Sequence, residues 1–219
     1  MDKKYILFDL DGTLTDPAEG ITNAIKYALA KYGIEVCDKT SLYEFIGPPL
    51  ISSFMERYGF SHEKASEALM YYREYFGEKG LFENKVYPKT EDMLEGLLKK
   101  GKHLFVATSK PEEYSKIILK HFKLDKYFEF IGGSTMDESM VNKDEIIGYV
   151  LSSCRITDKD ATVMVGDRRH DIIGAKKNCI SSIGVLYGYG SREELFEAGA
   201  DYIISSPEEL SKLLGGDNT

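Results

Sequence analysis

Short apolar runs recur along the chain at Tyr5–Phe8, Leu104–Ala107, Phe128–Ile131, Thr162–Val165, Ser182–Leu186 and Tyr202–Ile204. Most end in Gly, Asp, Ser or Thr, and they do not alternate apolar with polar positions. Runs apolar on both faces predict strands buried on both faces, as in a parallel sheet. Helical periodicity fills the intervals. Ile21, Ala24, Ile25, Ala28, Leu29 and Tyr32 put one stripe on one face of a helix over 19–32. Met93, Leu94, Leu97 and Leu98 repeat the pattern before a stop at Gly101. It returns at Tyr114, Ile117, Ile118 and Phe122, and again at Ile146, Ile147, Val150 and Leu151. Ser191 with Glu194, and Ser206 with Glu209, have the spacing of capping boxes that open short helices.

From residue 85 onward, helices and strands alternate, which predicts an α/β fold with a Rossmann-like, doubly wound parallel sheet. Residues 15–83 break that rhythm, reading as helical throughout with no strand. The expected organisation is therefore an α/β core of residues 1–14 and 85–219, with 15–84 inserted as a helical cap. Hinges are expected near Thr15–Ala18 and Glu83–Tyr87. Tyr71, Tyr72, Tyr75, Phe76 and Phe82 crowd the second half of the insert. They are expected to fill its core, and a base-stacking wall is the sharper alternative. Residues 215–219 read as a frayed tail.

Composition narrows the function. At 42% hydrophobic residues, the chain can bury a sizeable core, and a formal net charge of −8 gives no attraction to nucleic acid polymers or anionic membranes. The apolar run at the N-terminus stops at Asp9, too short for a leader or a membrane span. Cys37, Cys154 and Cys179 lie far apart without a C-x-x-C pair. A disulfide framework or zinc site is not expected, and a cytoplasmic location with three small packing cysteines is. The pattern fixes no oligomeric state.

The chemistry gathers at strand ends. Asp9 and Asp11 follow the first run directly, with Gly12 allowing a sharp turn and Thr13 offering a hydroxyl. In a parallel sheet, ligands bind beyond the carboxyl ends of the strands. A second acidic group, Asp167 and Asp171, follows Val165–Gly166. Like charges ~4 Å apart cost roughly 4 kcal/mol at an effective dielectric near 20, so a fold that gathers several carboxylates needs a cation. Oxygen donors without a His or Cys cluster suit Mg²⁺. Thr108, Ser109 and Lys110 end another run, and Lys143 opens the helix from 144. A hydroxyl and a lysine are what a phosphoryl group needs beside a metal.

Asp9-Leu10-Asp11-Gly12-Thr13, then Thr108, then Lys143, then Gly166-Asp167 with Asp171 resemble the four motifs of the haloacid dehalogenase-like hydrolases, in order and along nearly the whole chain. The resemblance implies that Asp9 attacks phosphorus and that Asp11 serves as acid and then base. It gives Thr108 the phosphoryl oxygens and Lys143 the charge between phosphate and nucleophile. It places Mg²⁺ on Asp9, on the backbone carbonyl of Asp11 and on Asp167, with Asp171 in direct or outer support. The second aspartate of the first motif favours phosphatases over true dehalogenases. His170, Arg168 and Arg169 are expected to stand aside, the two arginines as solvated charges.

A cap after the first motif resembles the helical-cap subgroup, which acts on small soluble phosphate esters. Its Gly47-Pro48-Pro49 turn is expected to meet the substrate together with Gly12, Thr13, Ser109 and Lys110. That turn, Ala107–Pro111, Gly166–Asp171 and Gly184–Gly190 are similar to the phosphoglycolate-phosphatase-like branch, and within it to bacterial 5′-nucleotidase-like proteins. A small phosphorylated metabolite is thus the expected partner. A nucleoside 5′-monophosphate is the first choice, with phosphoglycolate or a phosphomutase reaction as alternatives. A dinucleotide-binding dehydrogenase is disfavoured, because Asp9 and Asp11 occupy the place of a Gly-x-Gly-x-x-Gly turn.

Overall fold

In the computed structural model, which describes residues 1–215, six parallel strands form one sheet in the order β5-β4-β1-β6-β7-β8. They are β1 (Tyr5–Phe8), β4 (His103–Pro111), β5 (Phe130–Ser134), β6 (Thr162–Gly166), β7 (Ser181–Val185) and β8 (Tyr202–Ile204). The predicted burial on both faces has a direct cause in the side-chain alternation. Ile6, Phe8, Leu104, Val106, Val163 and Val165 enter one apolar cluster, and Leu7, Phe105, Ala107 and Met164 enter the other. Successive positions of β1 and of the middle of β4 and β6 therefore have to be apolar on both faces.

Helices α4 (Thr90–Lys99), α5 (Glu112–His121), α6 (Lys143–Ser153), α7 (Arg169–Lys177), α8 (Arg192–Ala198) and α9 (Pro207–Gly215) flank the sheet. Before them come α1 (Ala18–Ala30), α2 (Leu50–Tyr58) and α3 (His62–Tyr75). α1 and α2 both pack on α3, and their buried Ile21, Ala24, Ile25, Phe54, Ala68 and Leu69 join the cluster on the Phe8 face. Among the described residues no helix is long and apolar enough to cross a membrane.

The order of the strands positions the site. β1 lies between β4 and β6, with Phe8 paired to Val106 on one side and to Val165 on the other. Asp9 and Asp167 follow β1 and β6 directly, and Thr108 lies within β4 two residues past Val106, so the three stand near the same edge of the sheet. The strand order reverses at β1, where a doubly wound sheet opens its crevice.

Several expectations need correction. Residues 15–83 do contain strand: β2 (Thr15–Asp16) pairs antiparallel with β3 (Lys85–Val86), matching Thr15 to Val86 and Asp16 to Lys85. Two residues are too few for any periodic signal. β5 begins at Phe130, not Phe128, because Asp125–Tyr127 form a 3₁₀ turn closed by the Phe128 N–H on the Asp125 carbonyl. Its end was hidden because Gly132 and Gly133 are not apolar. Cys37 and Cys179 are exposed rather than packed, and all three cysteines are free. Ser191 caps α8 as predicted, accepting the Glu194 N–H at 3.1 Å, but the Glu194 carboxylate turns to Arg168 and the Arg169 N–H and does not close the box. Gly215 ends α9, and the rest of the expected tail lies outside the described residues.

Candidate active site

Asp9, Asp11, Thr108, Lys143, Asp167 and Asp171 are all buried, an arrangement that isolated surface charges do not adopt. Asp9 leaves β1 with its Oδ1 accepting the Leu10 N–H at 2.7 Å. Lys143, the first residue of α6, reaches back so that its Nζ lies 2.9 Å from Asp9 Oδ1 and 2.8 Å from Asp171 Oδ1. Nζ also donates to the Ala107 carbonyl at 3.2 Å, so the ammonium is held from three sides. Asp171 sits in the first turn of α7, where its Oδ2 accepts the Arg168 N–H at 3.1 Å and caps the helix. Asp167 Oδ2 accepts the Tyr189 N–H at 2.8 Å, and the Thr13 hydroxyl reaches its Oδ1 at 3.5 Å.

Gly12 is needed where it stands. Its φ is +81°, and a Cβ there would lie 2.1 Å from Asp167 Oδ2. Only a residue without a side chain lets the turn after β1 press against the acid after β6.

Oxygens of Asp9, Asp167 and Asp171 lie within 4.8 Å of one another, a donor set that fits a hard divalent cation. The side chain of Asp11 is not part of this set. Its Oδ2 is 2.6 Å from Lys110 Nζ, and its Oδ1 is buried without a hydrogen-bond partner.

The electrostatics carry the same sign. Burial pushes the Asp167 carboxyl well above the ordinary carboxylate range, and Asp171 and Asp9 push it further. Burial raises Asp171 to about 6 against the pull of Lys143. Burial also raises Asp11, opposed first by the charge of Lys110. Lys143 is raised despite its burial, by Asp171 and then Asp9, and stays charged.

A pH-dependent response to cations follows. Asp167 and Asp171 hold their protons more firmly folded than unfolded. Their contribution to stability is full below the ordinary value of 3.8 and is lost as pH rises through about 6 and, for Asp167, beyond. A cation must displace those protons, so Mg²⁺ is expected to raise the melting temperature more at about pH 7.5 than at about pH 5. Thermal melts with Mg²⁺ and with a chelator measure this. Equal shifts at both pH values would contradict the assignment.

A cleft opens beside Asp9 and Asp11, enclosing about 720 Å³ of space continuous with solvent. Its floor is Asp9, Asp11, Thr108, Ser109 and Lys110, and its roof includes Gly47, Pro48 and Pro49. Phe45, Leu69, Tyr72, Phe76 and Tyr114 make apolar walls. Of the predicted substrate contacts, Ser109, Lys110, Gly47 and Pro48 line the cleft, whereas Gly12 and Thr13 lie behind it against Asp167. Of the aromatic run, Tyr72 and Phe76 face the cleft, while the exposed Phe82 packs on His121. His170 takes no part in the lining.

Sequence reasoning missed three contacts. Arg73 of α3 pairs with Glu138 at 2.5 Å across the cleft mouth. Tyr189 donates its hydroxyl to Asp16 of β2. Arg168, expected in solvent, is largely covered, and its guanidinium lies between Glu194 and the Ile46 carbonyl. The partners of all three are remote in sequence. The only local signal was the pair of glycines around Tyr189, Gly188 and Gly190, which let that loop lie on Asp167.

Known proteins resemble this chain along most of its length. Residues 6–185 match the family model of the haloacid dehalogenase-like hydrolases. A 5′-nucleotidase of Pseudomonas aeruginosa is 47% identical over 190 residues, covering 87% of this chain and 86% of that one. A predicted phosphatase from Clostridium acetobutylicum, known as a crystal structure, superposes with a TM-score of 0.94 at 54% identity, covering 97% and 98% of the two chains. A tyrosine-protein kinase, PtkA of Mycobacterium tuberculosis, is 33% identical over 97% of this chain and 72% of its own.

Proposed function

The chain belongs to the haloacid dehalogenase-like hydrolases and is a phosphatase; from that premise we propose that it hydrolyses nucleoside 5′-monophosphates through a phosphoryl group carried on Asp9. The observation that carries the substrate class is the charge state of the cleft. Its two cations outside the Asp9 centre are both already paired, Lys110 with Asp11 at 2.6 Å and Arg73 with Glu138 at 2.5 Å. Apart from the hydroxyls of Thr108, Ser109 and Ser134, the remaining walls are largely aromatic and aliphatic. Such a cleft suits a phosphate ester whose leaving group is uncharged and has a broad apolar face. A nucleoside meets that description. Glycolate, a small carboxylate, would have to draw Arg73 from Glu138 or Lys110 from its place on Asp11.

The Asp9 carboxylate attacks phosphorus as the bond from phosphorus to the ester oxygen breaks. Asp11 delivers its proton to that oxygen, and burial favours the protonated form this step requires. In the second half, Asp11 takes a proton from water. The water oxygen bonds to phosphorus, and the Asp9 carboxylate leaves, releasing inorganic phosphate. Lys143 holds Asp9 in place and offsets the charge that gathers between nucleophile and phosphoryl oxygens. Lys110 orients Asp11, and Thr108 offers its hydroxyl to the phosphoryl group. Mg²⁺, held by Asp9, Asp167 and the Asp11 carbonyl with Asp171 beside them, would supply charge neutralisation for the phosphate. Helices α1–α3 act as a cap over this centre, hinged at β2 and β3. The free thiols suit a reducing compartment, the cytoplasm.

Phosphate release from nucleoside 5′-monophosphates, 2-phosphoglycolate, sugar phosphates and an aryl phosphate, with Mg²⁺ or a chelator, tests the reading. Nucleotides are expected to exceed phosphoglycolate by about tenfold or more in kcat/KM, because a carboxylate entering this cleft finds Arg73 and Lys110 already paired. All release should vanish with the chelator. A preference for phosphoglycolate would overturn the substrate and leave the chemistry.

A further inference from the structure

We propose that Arg168 is a positioning residue for the substrate: it fixes the Gly47-Pro48-Pro49 turn over the catalytic carboxylates and ties that turn to the segment bearing Asp167 and Asp171. Arg168 Nη1 donates to the Ile46 carbonyl at 2.6 Å, at the start of the turn. Its Nε meets Glu194 Oε1 at 2.9 Å, and the same oxygen accepts the Arg169 N–H at 2.9 Å. The Arg168 backbone N–H is bound to Asp171. One residue thus touches the acidic centre, α8 and the roof of the cleft.

The roof is shaped to receive it. Gly47 has φ +103°, and a Cβ there would lie 3.1 Å from Arg168 Cγ. A glycine lets the turn pass close over the arginine stem in a backbone conformation that other residues avoid. Pro48 and Pro49 stiffen the turn, so holding Ile46 sets where the whole roof sits. Tyr189 braces the same contact, its ring packing edge-on against Tyr43 at 5.6 Å just before the turn, while its N–H holds Asp167. The guanidinium is suited to the task because its planar fork serves two acceptors at once.

Arg168→Ala removes a charge-assisted bond and should loosen the roof without touching the reacting atoms. For a nucleoside monophosphate, KM is expected to rise about tenfold while kcat stays within about threefold. Hydrogen exchange should quicken at Ile46 and Ser53, whose N–H groups bond to the Tyr43 and Pro49 carbonyls and frame the turn, and stay unchanged in β1. Arg168→Lys should recover only part of both effects, and Glu194→Gln should move both in the same direction by less. The idea is lost if exchange at Ile46 and Ser53 stays as in the parent protein, if it quickens equally in β1, or if kcat falls with KM unchanged. The inference leans on the proposed substrate only for the kinetic arm. If the parent protein releases no phosphate, that reading fails alone, and the exchange arm decides the role of Arg168.

Discussion

Asp9→Asn is expected to lower phosphate release by at least about four orders of magnitude, because an amide oxygen cannot take the place of a carboxylate as nucleophile. The fold should survive. Asp9 Oδ1 accepts the Leu10 N–H, and the Asn oxygen can keep that bond. The substitution also removes one negative charge from beside Asp167 and Asp171, whose carboxyls are raised partly by Asp9. The metal-free variant should therefore melt at or above the temperature of the parent, and its gain from Mg²⁺ should shrink. Acid quenching during turnover, followed by mass spectrometry, should find one added phosphoryl group on the parent chain and none on the variant. Substantial turnover by a variant confirmed to be pure would remove Asp9 from its role.

The second large effect is on stability as well as rate. Lys143 is buried between Asp9 and Asp171 and is their common counter-charge. Lys143→Met keeps much of the side-chain volume and leaves two buried carboxylates without it. Removing one member of a buried ion pair costs roughly 3–5 kcal/mol. For a chain of this length each kcal/mol shifts the midpoint by about 2–4 °C, so the metal-free variant should melt about 6–20 °C lower. Saturating Mg²⁺ should return part of that loss by supplying another positive charge, while activity stays low by about a thousandfold. Calorimetry with and without Mg²⁺ separates the two effects. A melting temperature within about 2 °C of the parent would show that Lys143 does not carry the charge of the site.

The residues legible in the sequence were those whose position is set by the sheet. Asp9 and Asp167 stand one residue after Phe8 and Gly166, the ends of β1 and β6, and neighbouring parallel strands bring such residues to one edge without further information. Thr108 comes to the same edge from within β4, two residues past Val106, the partner of Phe8. Lys143 was legible because a lysine at the start of a helix runs against the helix dipole and needs another reason to be there. Arg168 was not legible. Its neighbours in sequence make it look solvated, and its partners Ile46 and Glu194 come from elements that meet it only in the folded chain. Glu194 was misread for the complementary reason: the capping-box spacing was present, but a guanidinium competed for its carboxylate and won. Arg73 and Glu138 carry no local pattern, and they meet across the cleft from α3 and the loop after β5.

The short ladder of β2 and β3 has a consequence for how such a protein diversifies. Because Asp16 pairs with Lys85 and Thr15 with Val86, the chain leaves the sheet layer and returns to it at the same point. Whatever is strung between those two residues starts and finishes with its ends joined, and the entropy of closing an insertion grows only slowly with its length. The chain between them can change in length at little cost in closure, provided that its buried Ile21, Phe54 and Leu69 still meet the cluster on the Phe8 face. Grafting experiments that swap residues 17–84 between relatives have a natural pair of seams at Thr15–Asp16 and Lys85–Val86.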